Sequence, residues 1–205
     1  MNLIIGSGDV ADLFSGYKTK SFGDLLRKFV AEDEPYYNAL ASPIDALRTG
    51  AILEVNYLKI LSDDYFTQVK VQSKEMNVFK CSLDFAKIKD GEVIDFDEMK
   101  TMYFPGFVDL IEPHRNCGNV DFLKKNKFKN YYNQIQHQLY CSELESCNIV
   151  FVPVYSYNDE ENIEREIKES EVVKFRIYRD EEVIAKLKQR GEMFQMIKNT
   201  INAND

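Results

Sequence analysis

The sequence predicts an α/β domain with a mixed central sheet flanked by helices, on three observations. The chain has 205 residues, 44% of them hydrophobic and 29% charged, the size and balance of one folded domain. Its middle alternates apolar and polar residues on both sides of Asp90-Gly91, the signature of a β-hairpin. The periodicities then run as helices, three strands, helix, strand, strand, helix, an order that a sheet with helices packed on it accommodates. No repeat, low-complexity tract or long linker divides the chain. Residues 1–205 therefore read as one unit, with a helical part at 1–62, the sheet at 63–103, and C-terminal helices and strands at 124–205.

Each element has a local reason. Asn2 to Ile5 is a short apolar strand or turn, followed by Gly6-Ser7-Gly8 and a helical turn over Asp9 to Phe14. Ser21 to Ala31 is amphipathic at helical spacing. Ser42-Pro43 opens the next helix, with a serine N-cap and proline at the first helical position. That helix runs to about Leu61 and sets Leu47, Ala51, Glu54 and Leu58 on one face. Phe66 to Gln72 and Val78 to Ile88 alternate as strands, the second with Phe79, Cys81, Leu83 and Phe85 on one face. Val93 to Met102 returns beyond the turn. Phe104 to Phe122, broken by Pro105, Gly106, Pro113 and Gly118, reads as irregular. A helix spans about Lys124 to Leu144, strands cover Ile149 to Tyr157 and Val172 to Tyr178, and Asp180 opens a last helix to about Asn199.

Composition removes several function classes. Lysine and arginine total 26 against 34 aspartates and glutamates, a net charge of −8, so this is no basic packer of nucleic acid. Acidic clusters are, however, what divalent-metal sites are made of. Cys81, Cys117, Cys141 and Cys147 form no C-x-x-C pair, and the histidines are only His114 and His137. Zinc knuckles, disulfide scaffolds and an iron–sulfur cluster are thereby excluded, and the thiols read as reduced and mostly buried. No run approaches the ~20 apolar residues of a membrane helix. The start lacks the basic flank of a signal peptide, so a cytoplasmic setting is expected.

The hairpin carries the chemistry. Asp84 lies on its first strand, and Glu98-Met99-Lys100 on its second. Glu98 and Lys100 are two apart and leave the same face, and the hairpin brings Asp84 beside them. Two carboxylates offer oxygen ligands to a hard divalent cation. The ammonium orients water or offsets developing negative charge on a phosphate. The bland alternative is a surface ion pair worth ~0–1 kcal/mol.

In sequence order, Gly50-Ala51-Ile52-Leu53-Glu54, Ser82-Leu83-Asp84, Glu98-Met99-Lys100-Thr101 and Tyr131-Tyr132-Asn133-Gln134-Ile135-Gln136 resemble a family pattern. It is G-x-x-x-E, S-x-D, E-x-K-T and Y-x-x-Q-x-Q of the lambda-exonuclease (YqaJ-like viral recombinase) type of PD-(D/E)xK nucleases. The resemblance spans roughly Gly6 to Phe194. It implies a restriction-endonuclease-like core and a Mg²⁺-dependent DNA exonuclease, Mn²⁺ substituting. Digestion would run 5′-to-3′ on duplex DNA in phage-type recombination, beside a single-strand annealing protein and as a homo-oligomer, a trimer in some relatives. Asp84, Glu98 and the Met99 carbonyl would be metal ligands, with Glu54 reaching the metal from its helix. Lys100 would act on the water or phosphate, Gln134 would place one of them, and Tyr131 would border the DNA. The basic run Lys124, Lys125, Lys127 and Lys129 would contact the DNA backbone. The family's arginine-bearing segment before its phosphate-binding serine has no counterpart here. Ser7 is the nearest match to that serine, with Lys18, Lys20 and Arg27 as possible substitutes for the arginine.

Rival readings are an endonuclease or nickase on the same core, a catalytically silent DNA-binding relative, and a nucleotide-binding protein. The last would use Gly6-Ser7-Gly8-Asp9-Val10-Ala11 as a G-x-G-x-x-A turn. That motif needs a second parallel strand with an acidic end ~20 residues on, where Phe22 to Arg27 reads as helix instead.

Overall fold

The computed structural model describes residues 3–30, 45–157 and 159–203. Ile5 makes a single parallel bridge to Phe79, and a 3-10 turn at Ser7–Asp9 leads into α1 (Val10–Leu13). Two helices follow, α2 (Lys20–Val30) and α3 (Asp45–Leu58). The Ser42-Pro43 cap and Asn2 lie outside the described residues. The hairpin strands are β1 (Tyr65–Gln72), β2 (Lys80–Lys89) and β3 (Glu92–Tyr103). After α4 (Phe104–Leu110), three 3-10 turns lead to α5 (Lys129–Ser142). The chain ends with β4 (Ser146–Val154), α6 (Glu160–Ile163), β5 (Val173–Tyr178) and α7 (Glu181–Asn202).

The sheet order is β1-β2-β3-β4-β5. Only β3 and β4 pair in parallel; the other neighbours are antiparallel. The mixed sheet predicted from the order of periodicities is therefore the observed one. The Asp90-Gly91 turn is formed as read, with both residues at positive φ (53° and 83°), the requirement of a two-residue type I′ hairpin.

Burial along β4 explains the layering. Cys147, Ile149 and Phe151 enter one core with Phe96 of β3 and side chains of α1, α2, α5 and α7. Val150, Val152 and Val154 enter a second core with Met99 of β3, Leu53 and Tyr57 of α3, Ile167 and Val172. Alternating residues serve opposite faces, so β3 and β4 are covered on both sides, as central strands beside a parallel ladder are.

Four expectations change. Phe85 does not share the face of Cys81 and Leu83: it packs in the second core, edge-on to Tyr57 at 5.0 Å. The alternation slips at Asp84, where the regular β2–β3 pairing has not yet begun. The buried face of α3 is Thr49, Leu53 and Tyr57, while Leu47 is 46% exposed; the helix is rotated from the expected stripe. Phe104–Leu110 is a helix despite Pro105 and Gly106, because proline is tolerated in a first turn. The helix expected from Lys124 begins only at Lys129, and the residues before it form 3-10 turns at 121–124 and 126–128.

The glycine turn at Gly6 is closed from within. The Asp9 carboxylate accepts the Gly6 amide at 2.8 Å and pairs with Lys28 at 2.9 Å. A Cβ at Gly8 would meet nothing within 4 Å, so no close approach demands glycine there. With α2 where a second strand was needed, the dinucleotide reading loses its structural basis.

Gly191 of α7 is different. A Cβ there would stand 2.4 Å from Phe79 Cζ, and Phe79 is itself fully buried against His137 and Tyr140. Gly191→Ala gains helix propensity of about 1 kcal/mol but overpacks the core at a cost of about 1–3 kcal/mol. We expect a net loss of stability in urea unfolding; a more stable variant would show that Phe79 can move aside.

Candidate active site

Glu98 is the centre of the site. It is 1% exposed, and both its oxygens are held. Oε1 accepts Lys100 Nζ and Gln134 Nε2, each at 2.6 Å. Oε2 accepts Gln138 Nε2 at 2.7 Å. Such charge-assisted bonds are the strong kind, and an unpaired buried carboxylate would be costly. Gln134 and Gln138 are four apart on α5 and so share a face. Gln138 Nε2 also reaches the Ser82 carbonyl at 3.1 Å, which ties β2 to β3.

Asp84 stands where β2 parts from β3. Its Oδ2 accepts the Met99 amide at 3.0 Å, in place of a ladder bond. Glu54 approaches from α3, whose close seating on β3 is marked by Gly50, where a Cβ would lie 3.7 Å from Thr101 Oγ1. Gln68 of β1 spans the two carboxylates: its Nε2 lies 3.4 Å from Glu54 Oε2 and 3.5 Å from Asp84 Oδ1. Its Oε1 accepts Ser82 Oγ at 2.9 Å. Gln68 has φ of 53°, an uncommon conformation for a residue other than glycine and a mark of a local constraint. Lys100 completes the group, its ammonium 5.3 Å from the ring centre of Tyr131.

The electrostatics follow from crowding. Burial raises the Asp84 carboxyl well above its usual range, with the charges of Glu98 and Glu54 adding to the effect. Burial raises Glu54 too, followed by Glu98. Burial opposes the Lys100 charge, but Glu98 and Asp84 together outweigh it and its pKa rises. Lys100 is thus a permanent cation at neutral pH. Three carboxylates face one ammonium, an imbalance that a divalent cation would neutralise. Among the described residues, no group of three or more His, Cys, Asp or Glu side chains is assembled to hold a metal ion; in this arrangement the Glu98 oxygens are turned to Lys100 and the two glutamines. The donor set is nonetheless all oxygen and over-negative, the chemistry a hard divalent ion requires.

On the opposite face of β3, Asp97 is fully buried. It accepts the Tyr57 hydroxyl at 2.8 Å, Lys174 at 2.9 Å and Asn148 at 2.7 Å. Burial and Asp97 push the Tyr57 hydroxyl far above its usual range. Tyr57 is three residues beyond Glu54, so this anchor fixes the helix that presents Glu54.

The structure therefore brings Glu54, Asp84, Glu98, Lys100, Gln134 and Tyr131 together, as expected. The Met99 side chain goes to the second core, and only its backbone faces the site. Gln136, which matched the motif, turns away to the Tyr178 carbonyl and the Asp180 amide. The other expected residues stand elsewhere. Ser7 Oγ lies 3.1 Å from His137 Nδ1. Lys124 pairs with Asp180 at 3.6 Å and Asp121 at 3.9 Å; these carboxylates are the negative partners its position called for. Lys125 and Lys127 line a groove with His114, Phe122 and Phe128, and Lys129 is exposed at the start of α5.

Sequence reasoning missed Gln68, Gln138 and the Asp97 anchor. The four-residue spacing of Gln134 and Gln138 was a readable signal. The backbone conformation of Gln68 was not.

No protein-family profile and no curated protein matches the chain by sequence. Solved structures do match in fold. The alkaline exonuclease LHK-Exo from Laribacter hongkongensis superposes with a TM-score of 0.63 at 16% identity, over 100% of this chain and 96% of that one. LHK-Exo in complex with dAMP gives 0.61 at 18% identity, over 97% and 89%. A phage related exonuclease from Haemophilus somnus 129PT gives 0.54 at 13% identity, over 100% and 97%. The chain shares the fold of these exonucleases, the mixed five-stranded sheet with flanking helices that the PD-(D/E)xK pattern implied.

His137 supplies a test of this packing. It is fully buried between Ser7 and Cys141, and burial lowers its pKa to about 3. The unfolded chain, with an ordinary pKa near 6.5, binds the proton first. Its contribution is present above pH ~6.5 and is lost as pH falls toward 3, about 2 kcal/mol being gone at pH 5. His137→Gln should flatten that part of the stability profile, read from urea unfolding between pH 7 and pH 5. An unchanged slope would mean that His137 is hydrated in solution.

Proposed function

We propose that this protein is a metal-dependent DNA exonuclease that releases mononucleotides from DNA ends. One observation carries the reading: three carboxylates, a permanently charged lysine and a glutamine converge at the point where β2 and β3 separate, in a fold shared with exonucleases. Asp84, Glu98 and the Met99 carbonyl would hold a Mg²⁺ ion, for which Mn²⁺ would substitute, and Glu54 would reach it directly or through water. Bound there, the ion supplies Lewis acidity toward the scissile phosphate and lowers the pKa of the attacking water.

The chain's own residues do the rest. Glu98 and Asp84 set the negative charge that collects cations. Gln134, already fixed to Glu98, is positioned to orient water or a phosphate oxygen. Lys100 keeps its proton, so its part is electrostatic: it offsets negative charge as the phosphate develops it. Water adds to phosphorus, the P–O3′ bond breaks, and the products are a 5′-mononucleotide and a shortened strand. The resemblance in sequence favours 5′-to-3′ digestion of duplex DNA in phage-type recombination. A single-strand annealing protein would be its partner and a homo-oligomer, such as a trimer, its working form. Among the described residues no helix is long and apolar enough to cross a membrane.

Lys125, Lys127 and Lys129 precede the helix that carries Gln134, and they are the proposed contacts to the DNA backbone. Lys124, held by Asp121 and Asp180, contributes least to that role. Ser7, bonded to the buried His137, is the proposed contact for the terminal phosphate.

The deciding experiment is digestion with Mg²⁺ of linear duplex DNA labelled at either end, beside a matched closed circle. Loss of linear DNA alone is expected, abolished by Glu98→Gln and reduced at least 100-fold by Lys100→Ala. Cleaved circles would establish the endonuclease reading instead, and an active Glu98→Gln would show the site to be misassigned. Separately, replacing Lys125, Lys127 and Lys129 with alanine should lower the slope of log K against log salt by up to about 3. An unchanged slope would make these lysines a solvated surface.

A further inference from the structure

At the ends of β3 and β4 the chain exposes aromatic rings that its cores do not use. Tyr103 is 50% exposed, Phe104 40% and Tyr155 38%. The Tyr103 and Tyr157 rings lie 5.9 Å apart and 28° from parallel. Phe104 and Tyr155 meet at 4.8 Å, and Arg165 covers Tyr155 at 4.8 Å. Tyr157 also packs against the second core. The Tyr103–Tyr157 pair is therefore a flat aromatic surface on a rigid base.

This surface is continuous with the candidate active site. Tyr103 lies three residues beyond Lys100 on β3. Burial raises the Tyr157 hydroxyl, and Tyr131 and Tyr103 raise it further, so both phenols are its electrostatic neighbours. Tyr131 in turn carries the Lys100 ammonium over its ring. A strand whose phosphate meets Lys100 would have its adjoining bases at these rings.

Tyrosine is the residue for such a task, since it offers a stiff ring with a polar end that tolerates water. Every nucleobase has a π-face, so stacking is insensitive to sequence. Bases inside a duplex already spend both faces on each other; unpaired bases do not. We propose that Tyr103 and Tyr157 form a stacking platform for the unpaired nucleobases of the strand that enters the site. The proposal rests on the nuclease reading and adds to it the form of DNA that the site accepts.

The test measures binding in EDTA, where no hydrolysis intervenes. The probes are a single-stranded oligonucleotide carrying 2-aminopurine, whose fluorescence falls on stacking, and a blunt duplex of the same sequence. The double variant Tyr103→Ala/Tyr157→Ala should bind the single strand 10- to 100-fold more weakly and lose the quenching. Tyr103→Phe/Tyr157→Phe, which keeps both rings, should retain both signals and controls for folding. Blunt-duplex affinity should change less than threefold. Wild-type affinity and quenching in the alanine variant, an equal loss for the duplex, or no binding of the single strand by wild type would each overturn the platform. Mg²⁺-dependent cleavage by wild type is scored separately. If it persists while the platform fails, the nuclease reading stands alone; if it is absent altogether, that reading falls whatever the rings do.

Discussion

The constraint on which this molecule turns is the burial of the Glu98 carboxylate. A charge so enclosed must be met by donors, and the chain supplies them from its own strand and from one helix: Lys100, Gln134 and Gln138. These bonds do more than satisfy an anion. They fix α5 across β3, and through the Ser82 carbonyl they fix β2 as well. The same residue that defines the candidate chemistry thus locks the layer that surrounds it. A polar network of this kind holds its geometry only while every member is present.

Strand β3 bears a second carboxylate next to the first, facing the other way. Asp97 is met by Tyr57, Asn148 and Lys174, which join α3, β4 and β5 to β3. Adjacent residues of one strand therefore anchor both cores. Glu54 inherits its position from the Asp97 side, whereas Gln134 inherits its position from the Glu98 side. The candidate site lies where the two networks meet, at the break in β2–β3 pairing that frees Asp84 from the ladder.

Much of this was legible in the sequence because periodicity and turn chemistry are local. Asp90-Gly91 specifies its hairpin by backbone conformation alone, and the two-residue spacing of Glu98 and Lys100 places both on one face wherever the strand lies. What escaped was set by contacts distant in the chain. Phe85 obeys the alternation on paper, yet the slip at Asp84 sends it to the other core beside Tyr57. Leu47 looks like a core position until the Asp97–Tyr57 bond rotates α3. Gln68 acquires its place only because β1 bends at a left-handed residue. Each miss is a case of tertiary structure overriding a local pattern.

The acidic balance of −8 sharpens what the proposed substrate would require. A polyanion approaching this surface meets repulsion nearly everywhere, screened over about 8–10 Å at ordinary ionic strength. Attraction must then be local, and α5 provides it in sequence. Its exposed start holds Lys129, and Gln134 lies about 7.5 Å further along the helix axis, with Lys100 and Tyr131 beside it. Cations at the start of a helix oppose its dipole, a cost that the Asp121 and Asp180 carboxylates relieve only at Lys124. For Lys125, Lys127 and Lys129 the compensating charge would arrive with the ligand. Positive charge concentrated at the mouth, a negative cluster within, and rings beyond it would together pass one strand of a nucleic acid inward and discriminate against its return to the duplex.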